Sequence, residues 1–188
     1  MKKVMIAFLM LTAVPALAQD KFVPVIKQGT TLRYTASVNG ENYACTFSLD
    51  SVTADFVKIN WNVDQLGSGT WIMKSKSLQL GSRRYSGQPT PGVTEEMPDD
   101  QTVLILSKAQ WASLQKDKKV TFDNQAFTVK MPTSQQQITL AGKGLDVFLL
   151  ENANATTHIW VLNNAAFPIL LKTEGNNGAA DLTITAVE

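Results

Sequence analysis

The chain has a single cysteine, Cys45, and a single histidine, His158, among its 188 residues. One cysteine cannot form an internal disulfide, so the fold has to be held by its hydrophobic core. These two residues are also too few to make a closed zinc site. No G-x-S-x-G segment is present, so the serine elbow of the α/β-hydrolases is missing. We therefore predict that the protein is not an enzyme and binds no metal or cofactor.

An excess of either charge is also absent. The chain has 17 basic and 16 acidic residues, and the basic ones are interspersed rather than gathered in a stripe. Proteins that bind a phosphate backbone or an anionic membrane surface usually carry such a basic stripe. The sequence therefore predicts no nucleic acid partner.

Long apolar runs are absent after the N terminus. The one run there, Val4 to Val14, follows a basic start and precedes the small-x-small triplet at residues 16–18. It is too short to span a bilayer, which takes roughly 20 residues, and its flanks are typical of a secretory signal peptide. We predict a signal peptide over residues 1–18, a periplasmic or secreted location, and a mature chain that is not an integral membrane protein.

Removal of 18 residues from 188 leaves 170, starting at Gln19, which is enough for one domain with its own core. Lys2 and Lys3 leave with the signal peptide, so 15 basic residues remain beside 16 acidic ones and the formal charge becomes −1. No linker interrupts the chain, and we predict a single β-rich domain over residues 19–188. Its first residues, 19–28, contain Pro24 and show no period, which indicates an arm or a loose edge strand.

Alternation of apolar and polar residues predicts antiparallel strands. Two alternating segments flank Asn39-Gly40, a pair typical of a type I′ hairpin turn. This turn would place Ala36 opposite Tyr43 and Tyr34 opposite Cys45. Cys45 is then a small apolar core residue rather than a nucleophile. A strand over 57–63, a turn at Gly67-Ser68-Gly69 and a strand over 70–73 are predicted next. A hairpin over 120–129 follows, whose loop Asn124-Gln125 would place Phe122 opposite Phe127 and Val120 opposite Val129. The remaining predicted strands are 145–150, 159–162, 167–171 and 182–186.

One helix is predicted. It follows a buried strand over 102–106, begins after Ser107 with a capping box to Gln110, and ends by Lys116. Trp111 and Leu114 share its inner face, while residues 78–84 fit either a strand or a short helical turn. About ten strands with one helix predict a mainly β fold, a curved antiparallel sheet forming a half-barrel or barrel-like structure.

The longest irregular stretch, residues 87–101, carries four carboxylates, Glu95, Glu96, Asp99 and Asp100. Their order does not match a calcium-binding EF-hand loop, so we interpret the stretch as a solvated acidic loop rather than a metal site. Long loops in compact domains are often functional, and this one is a candidate contact for an envelope protein partner.

The order of elements resembles the periplasmic lipoprotein-carrier half-barrel architecture, and a family of uncharacterised exported bacterial β-rich proteins. The segments that carry the resemblance are residues 32–40, 69–73 and 102–114 and the closing hairpin over 159–171. The resemblance covers nearly the whole mature chain as an order of elements, without a signature motif, so no functional residue transfers by position. It implies a concave apolar surface that holds an acyl chain or another hydrophobic ligand.

The leading hypothesis is therefore an exported non-enzymatic binding module, with a lipid or other hydrophobic small molecule as ligand. The predicted ligand-binding residues are Trp61, Trp71, Met73 and Trp160, on a hydrophobic cleft of the curved sheet. The first alternative is that these four residues only fill the core, as strand aromatics commonly do, in an envelope structural or protein-interaction domain. The second is a hydrolase that uses carboxylates brought together only in the fold.

Overall fold

The structure is a computed structural model that describes residues 21–176 and 179–188. The predicted signal peptide, residues 1–18, and the predicted first mature residue, Gln19, lie outside the described residues. The described part has fifteen strands, two α-helices and one short 3-10 turn. Their bounds are β1 (Thr31–Val38), β2 (Glu41–Val52), β3 (Phe56–Val63), β4 (Gly67–Lys74), α1 (Ser75–Leu80), β5 (Arg83–Arg84), β6 (Thr94–Glu96), β7 (Gln101–Thr102), α2 (Lys108–Asp117), β8 (Lys119–Phe122), β9 (Gln125–Lys130), the 3-10 turn (Ser134–Gln136), β10 (Thr139–Leu140), β11 (Lys143–Gly144), β12 (Val147–Asn152), β13 (His158–Leu162), β14 (Leu170–Glu174) and β15 (Asp181–Val187).

Eleven strands form one sheet in the order β6-β4-β3-β2-β1-β15-β14-β13-β12-β9-β8. The prediction of a mainly β fold is confirmed, and the sheet is open rather than closed into a barrel. Two details differ from the prediction. The sheet is mixed, because β6 pairs with β4 in parallel, and a second helix, α1, follows β4 where the sequence fitted either a strand or a helical turn.

The hairpin of β1 and β2 has the predicted register. Ala36 pairs with Tyr43 and Tyr34 pairs with Cys45, across a turn at Asn39 and Gly40 in which both residues have positive φ. That conformation is the one that Asn-Gly favours in a two-residue hairpin. Cys45 is buried, as its place on the apolar side of the strand predicted.

The predicted turn at Gly67-Ser68-Gly69 is wrong. The chain reverses around Gln65, which has a φ of 65°, and the glycines already belong to β4. Gly69 pairs with Trp61, and a Cβ atom on Gly69 would lie 2.6 Å from Cζ2 of that indole. Gly69 is therefore required for space beside a large ring rather than for flexibility in a turn.

The hairpin of β8 and β9 is shifted from its predicted register. Asp123 and Asn124, both with positive φ, form the turn, so Phe122 pairs with Gln125 and Val120 with Phe127. The prediction placed the loop one residue too late and paired Phe122 with Phe127. The two phenylalanine rings still contact each other diagonally, edge to face, with centroids 5.6 Å apart.

Helix α2 has the predicted capping box. The Gln110 backbone N–H donates to the Ser107 hydroxyl at 3.3 Å, and the Ser107 N–H donates to the Gln110 side chain at 3.1 Å. Gln110 Nε2 also donates to the carbonyl of Thr121, which ties the helix to β8. Leu114 is fully buried and Trp111 packs edge to face on Phe148. The strand predicted over 102–106 is only a two-residue strand and an isolated bridge, because Leu104 takes a positive φ.

Two apolar clusters form the core. The first spans β1 to β4 and includes Leu149 and Trp160, and the second lies under α2 and includes Leu150 and Ile159. Because successive strand residues point to opposite faces, the two clusters lie on opposite faces of β12 and β13. This arrangement explains the dense apolar sequence at 159–162.

The segment 21–30, which we call the arm, crosses the end of the first cluster. Phe22 N–H donates to the Gly144 carbonyl at 2.8 Å, and the Phe22 carbonyl accepts from Asp146. At the other end, Gly29 N–H donates to the Leu49 carbonyl. Ile26 is buried between these attachments and belongs to the first cluster. The described part of the predicted arm or loose edge strand, residues 21–28, is thus irregular, with a single bridge from Phe22 to Leu145.

Tyr34 provides a direct test of the core. Its hydroxyl donates to the Leu170 carbonyl at 2.8 Å in a buried site, and burial raises the pKa of Tyr34, so the phenol stays protonated. Tyr34→Phe should reduce the free energy of unfolding by about 1–3 kcal/mol, because the carbonyl loses its buried partner. Tyr43→Phe is the matched control, since the Tyr43 hydroxyl bonds Glu41 at the surface. Equal urea midpoints for both variants would contradict the buried bond.

Candidate functional site

Three of the four predicted ligand residues come together in the core. Strands β3 and β4 place Trp61 and Trp71 side by side, with ring centroids 5.5 Å apart and an angle of 29° between the rings. The Met73 sulfur accepts the Val103 backbone N–H at 3.2 Å. The exposed fractions are 2% for Trp61, 4% for Trp71 and 0% for Met73.

Tyr85 covers the indole of Trp71, with ring centroids 5.2 Å apart. Burial raises the pKa of Tyr85, with a further contribution from Glu95, whose carboxylate accepts the Tyr85 hydroxyl at 3.3 Å. The Nε1 atom of Trp71 is buried and has no acceptor among the described residues. The indole of Trp71 is thus covered by another aromatic side chain of the protein.

Trp160 belongs to the same apolar cluster but lies on a strand far from β3 and β4 in the sheet order. It is 1% exposed, its Nε1 donates to the Gln136 carbonyl at 2.8 Å, and the Lys172 ammonium lies 5.0 Å from its ring centroid. In the sheet order, β13 is separated from β3 by β2, β1, β15 and β14. All four side chains are buried in the core, and their ligand role remains a prediction.

The single cysteine and the single histidine are also separated. Burial raises the pKa of the Cys45 thiol, which favours the unreactive protonated form. His158 Nε2 lies 3.2 Å from a carboxylate oxygen of Glu151, on a strand separated from that of Cys45 by three others. No hydrogen bond among the described residues joins the two, so the structure does not assemble a Cys-His pair.

The acidic stretch is paired with basic side chains. Glu96 forms a salt bridge with Lys74, Asp99 with Lys76, and Asp100 with Arg83. Within the described ranges, no group of three or more Asp, Glu, His or Cys residues converges in a way that could hold a metal ion.

Two surface clefts lie beside the arm. One, of about 510 Å³, lies between the arm and the end of β15. A second, of about 310 Å³, lies between the arm, the β10–β11 hairpin and β15. Both are lined by Phe22, Pro24 and Val187. We call the two together the Phe22 cleft.

Apolar side chains of the arm are open to solvent in this cleft. Phe22 is 38% exposed and Val25 77% exposed, although neighbouring Ile26 is buried. The backbone bonds of Phe22 to Gly144 and Asp146 fix its position at the junction of the two openings.

Basic and acidic residues around the cleft are unequally paired. Arg33 holds Glu188 through two bonds of 2.9 and 3.0 Å, and this hydrogen bonding lowers the pKa of the Glu188 carboxyl. Lys27 and Lys143 line the cleft and form no salt bridge within the described residues. The Lys143 ammonium lies 5.1 Å from the Phe22 ring centroid. The cleft thus combines apolar residues of the arm with two lysines that have no salt-bridge partner within the described residues.

Sequence reasoning missed the Phe22 cleft because the arm has no period. The one signal was local, since residues 22–26 are mostly apolar and lie between Lys21 and Lys27. A lone apolar segment of this length fits equally well a buried strand or a surface strap.

Comparisons with known protein families, with curated proteins and with solved structures find no match for this chain. The resemblance to the lipoprotein-carrier architecture therefore stays a prediction. In the part of the chain that the structure describes, no helix is long and apolar enough to cross a membrane.

Iodide quenching of fluorescence tests whether the predicted ligand residues are accessible. Of the four tryptophans, only Trp111 is partly exposed, so Trp111→Phe should remove most of the iodide-sensitive emission of the native protein. Trp160→Phe, the matched control, should leave the iodide-sensitive fraction unchanged. Strong quenching that survives Trp111→Phe would mean that Trp61, Trp71 or Trp160 faces solvent, as the predicted ligand surface requires.

Proposed function

We propose that the protein is an exported, non-enzymatic binding module that holds an acyl chain or similar hydrophobic ligand in the Phe22 cleft. The observation that carries the proposal is the half-exposed Phe22, held by backbone bonds at the junction of two openings. A hydrophobic ligand would cover Phe22 and Val25, which the fold itself leaves in water. The cleft volumes also lie within the range of small-molecule sites.

The proposal moves the ligand away from Trp61, Trp71, Met73 and Trp160. Those side chains already contact protein atoms, so a ligand there would have to displace core packing. Displacing close-packed side chains costs free energy that a ligand at the arm does not have to supply.

A second candidate function has its own support. The core clusters are filled by the chain's own side chains, which suits an envelope structural or protein-interaction domain without a small ligand.

Native mass spectrometry of the protein purified from its exported fraction separates the two functions. Co-purified lipid supports the binding module, and a ligand-free protein that binds no acyl compound supports the interaction domain.

Export can be tested by expressing the full chain in a Gram-negative bacterium. We expect the intact mass of the purified protein to correspond to residues 19–188, because signal peptidase cleaves after a small-x-small triplet. Ala18→Tyr should block cleavage, and Ala13→Ser in the same segment should not. Full-length protein retained in the cytoplasm would contradict export.

Replacement of Phe22 tests the cleft. Phe22→Ala should weaken dodecanoate binding, measured by isothermal titration calorimetry, by about tenfold or more, because it removes most of one aromatic side chain from the contact. The matched control is Phe56→Ala, since Phe56 is 37% exposed and lines neither opening. Equal dodecanoate affinities for Phe22→Ala and Phe56→Ala would contradict binding in the Phe22 cleft. The ligand would then bind elsewhere, or the interaction-domain function would be the one supported.

A further inference from the structure

We infer that the ligand of the Phe22 cleft is a single-chain amphiphile with an anionic head group. This inference rests on the proposed function and narrows its ligand class. It depends on how the charges beside the cleft are partnered.

The acidic side chains near the cleft are already neutralised. Arg33 donates to the Glu188 carboxylate through Nε and Nη2. The Asp146 carboxylate accepts from the Asn163 side-chain amide and lies 3.5 Å from the Lys21 ammonium. A cationic head group would have to compete with these partners for either carboxylate.

The basic side chains that line the cleft are not neutralised in this way. Lys27 lies in the larger opening and Lys143 in the smaller one, and neither has a carboxylate partner in the described part of the chain. Lys143 lies over the Phe22 ring instead, a contact through which the ring attracts its charge. Lys27 therefore belongs to one opening and Lys143 to the other, and Phe22 lines both.

This juxtaposition matches a molecule with one apolar tail and one negative head. The tail would cover Phe22 and Val25 while the head bonds to Lys27 or Lys143. A carboxylate and a phosphate share this chemistry, so a fatty acid and a monoalkyl phosphate are both candidate ligands. Since both lysines are exposed, each should contribute modestly, and the contribution should weaken with added salt.

The test compares five probes with the same twelve-carbon tail, each below its micelle concentration: dodecanoate, dodecyl phosphate, an uncharged dodecyl polyethylene glycol ether, zwitterionic dodecylphosphocholine and dodecyltrimethylammonium. Isothermal titration calorimetry on the protein purified after expression of the full chain should give the tightest binding for the two anions. We expect Lys27→Gln and Lys143→Gln each to weaken anion binding by about threefold, and the double variant by about tenfold. Affinity for the uncharged ether should fall less in these variants, because the ether has no charge for either ammonium to attract.

Lys116→Gln is the matched control, because Lys116 is an exposed lysine on α2 that lines neither opening. Equal binding of all five probes would overturn the anionic head group, and a preference for anions that survives the double variant would overturn its assignment to Lys27 and Lys143. Either result leaves the proposed function intact. Absence of binding by every probe would overturn both. Loss of the preference at high salt in the unaltered protein, with binding of the ether retained, supports the inference.

Discussion

Strands β12 and β13 are apolar on both faces, and this constraint determines how the rest of the chain is arranged. Leu149 and Trp160 belong to one cluster, while their neighbours Leu150 and Ile159 belong to the other. A sheet with two apolar faces has to be covered on both. Helix α2 covers one side with Leu114, and the Gln136 carbonyl meets the Trp160 indole on the other.

Polar bonds hold these layers in register. The Tyr34 hydroxyl reaches the Leu170 carbonyl from β1, past the intervening β15, and so connects two parts of the sheet that few backbone bonds join. Gln110 connects α2 to β8 in a similar way. Both bonds run from a side chain to a backbone carbonyl of another element, so each links two elements that are distant in the sequence or differ in type.

The sequence allowed prediction where a local rule determines the conformation. The register of β1 and β2 follows from Asn39-Gly40, and the start of α2 follows from Ser107 and Gln110, because each signal lies within a few residues of the element that it specifies. The predicted register of the β8–β9 hairpin was wrong because Asp123-Asn124 and Asn124-Gln125 were both plausible turn pairs. The role of Gly69 could not be predicted, since it depends on Trp61 in the adjacent strand.

The same distinction explains why sequence reasoning selected buried residues as the candidate site and did not find the Phe22 cleft. Alternation identifies residues that point inward, and an inward aromatic in a sheet of this size is usually needed for the core. Tyr85 and Val103, which cover Trp71 and Met73, come from irregular segments whose position no periodicity specifies. The arm also lacks periodicity, because it crosses the ends of the strands instead of pairing along the sheet. Exposed apolar residues that a fold holds in place are therefore best sought in such crossing segments, where the requirements of the core do not determine every side chain.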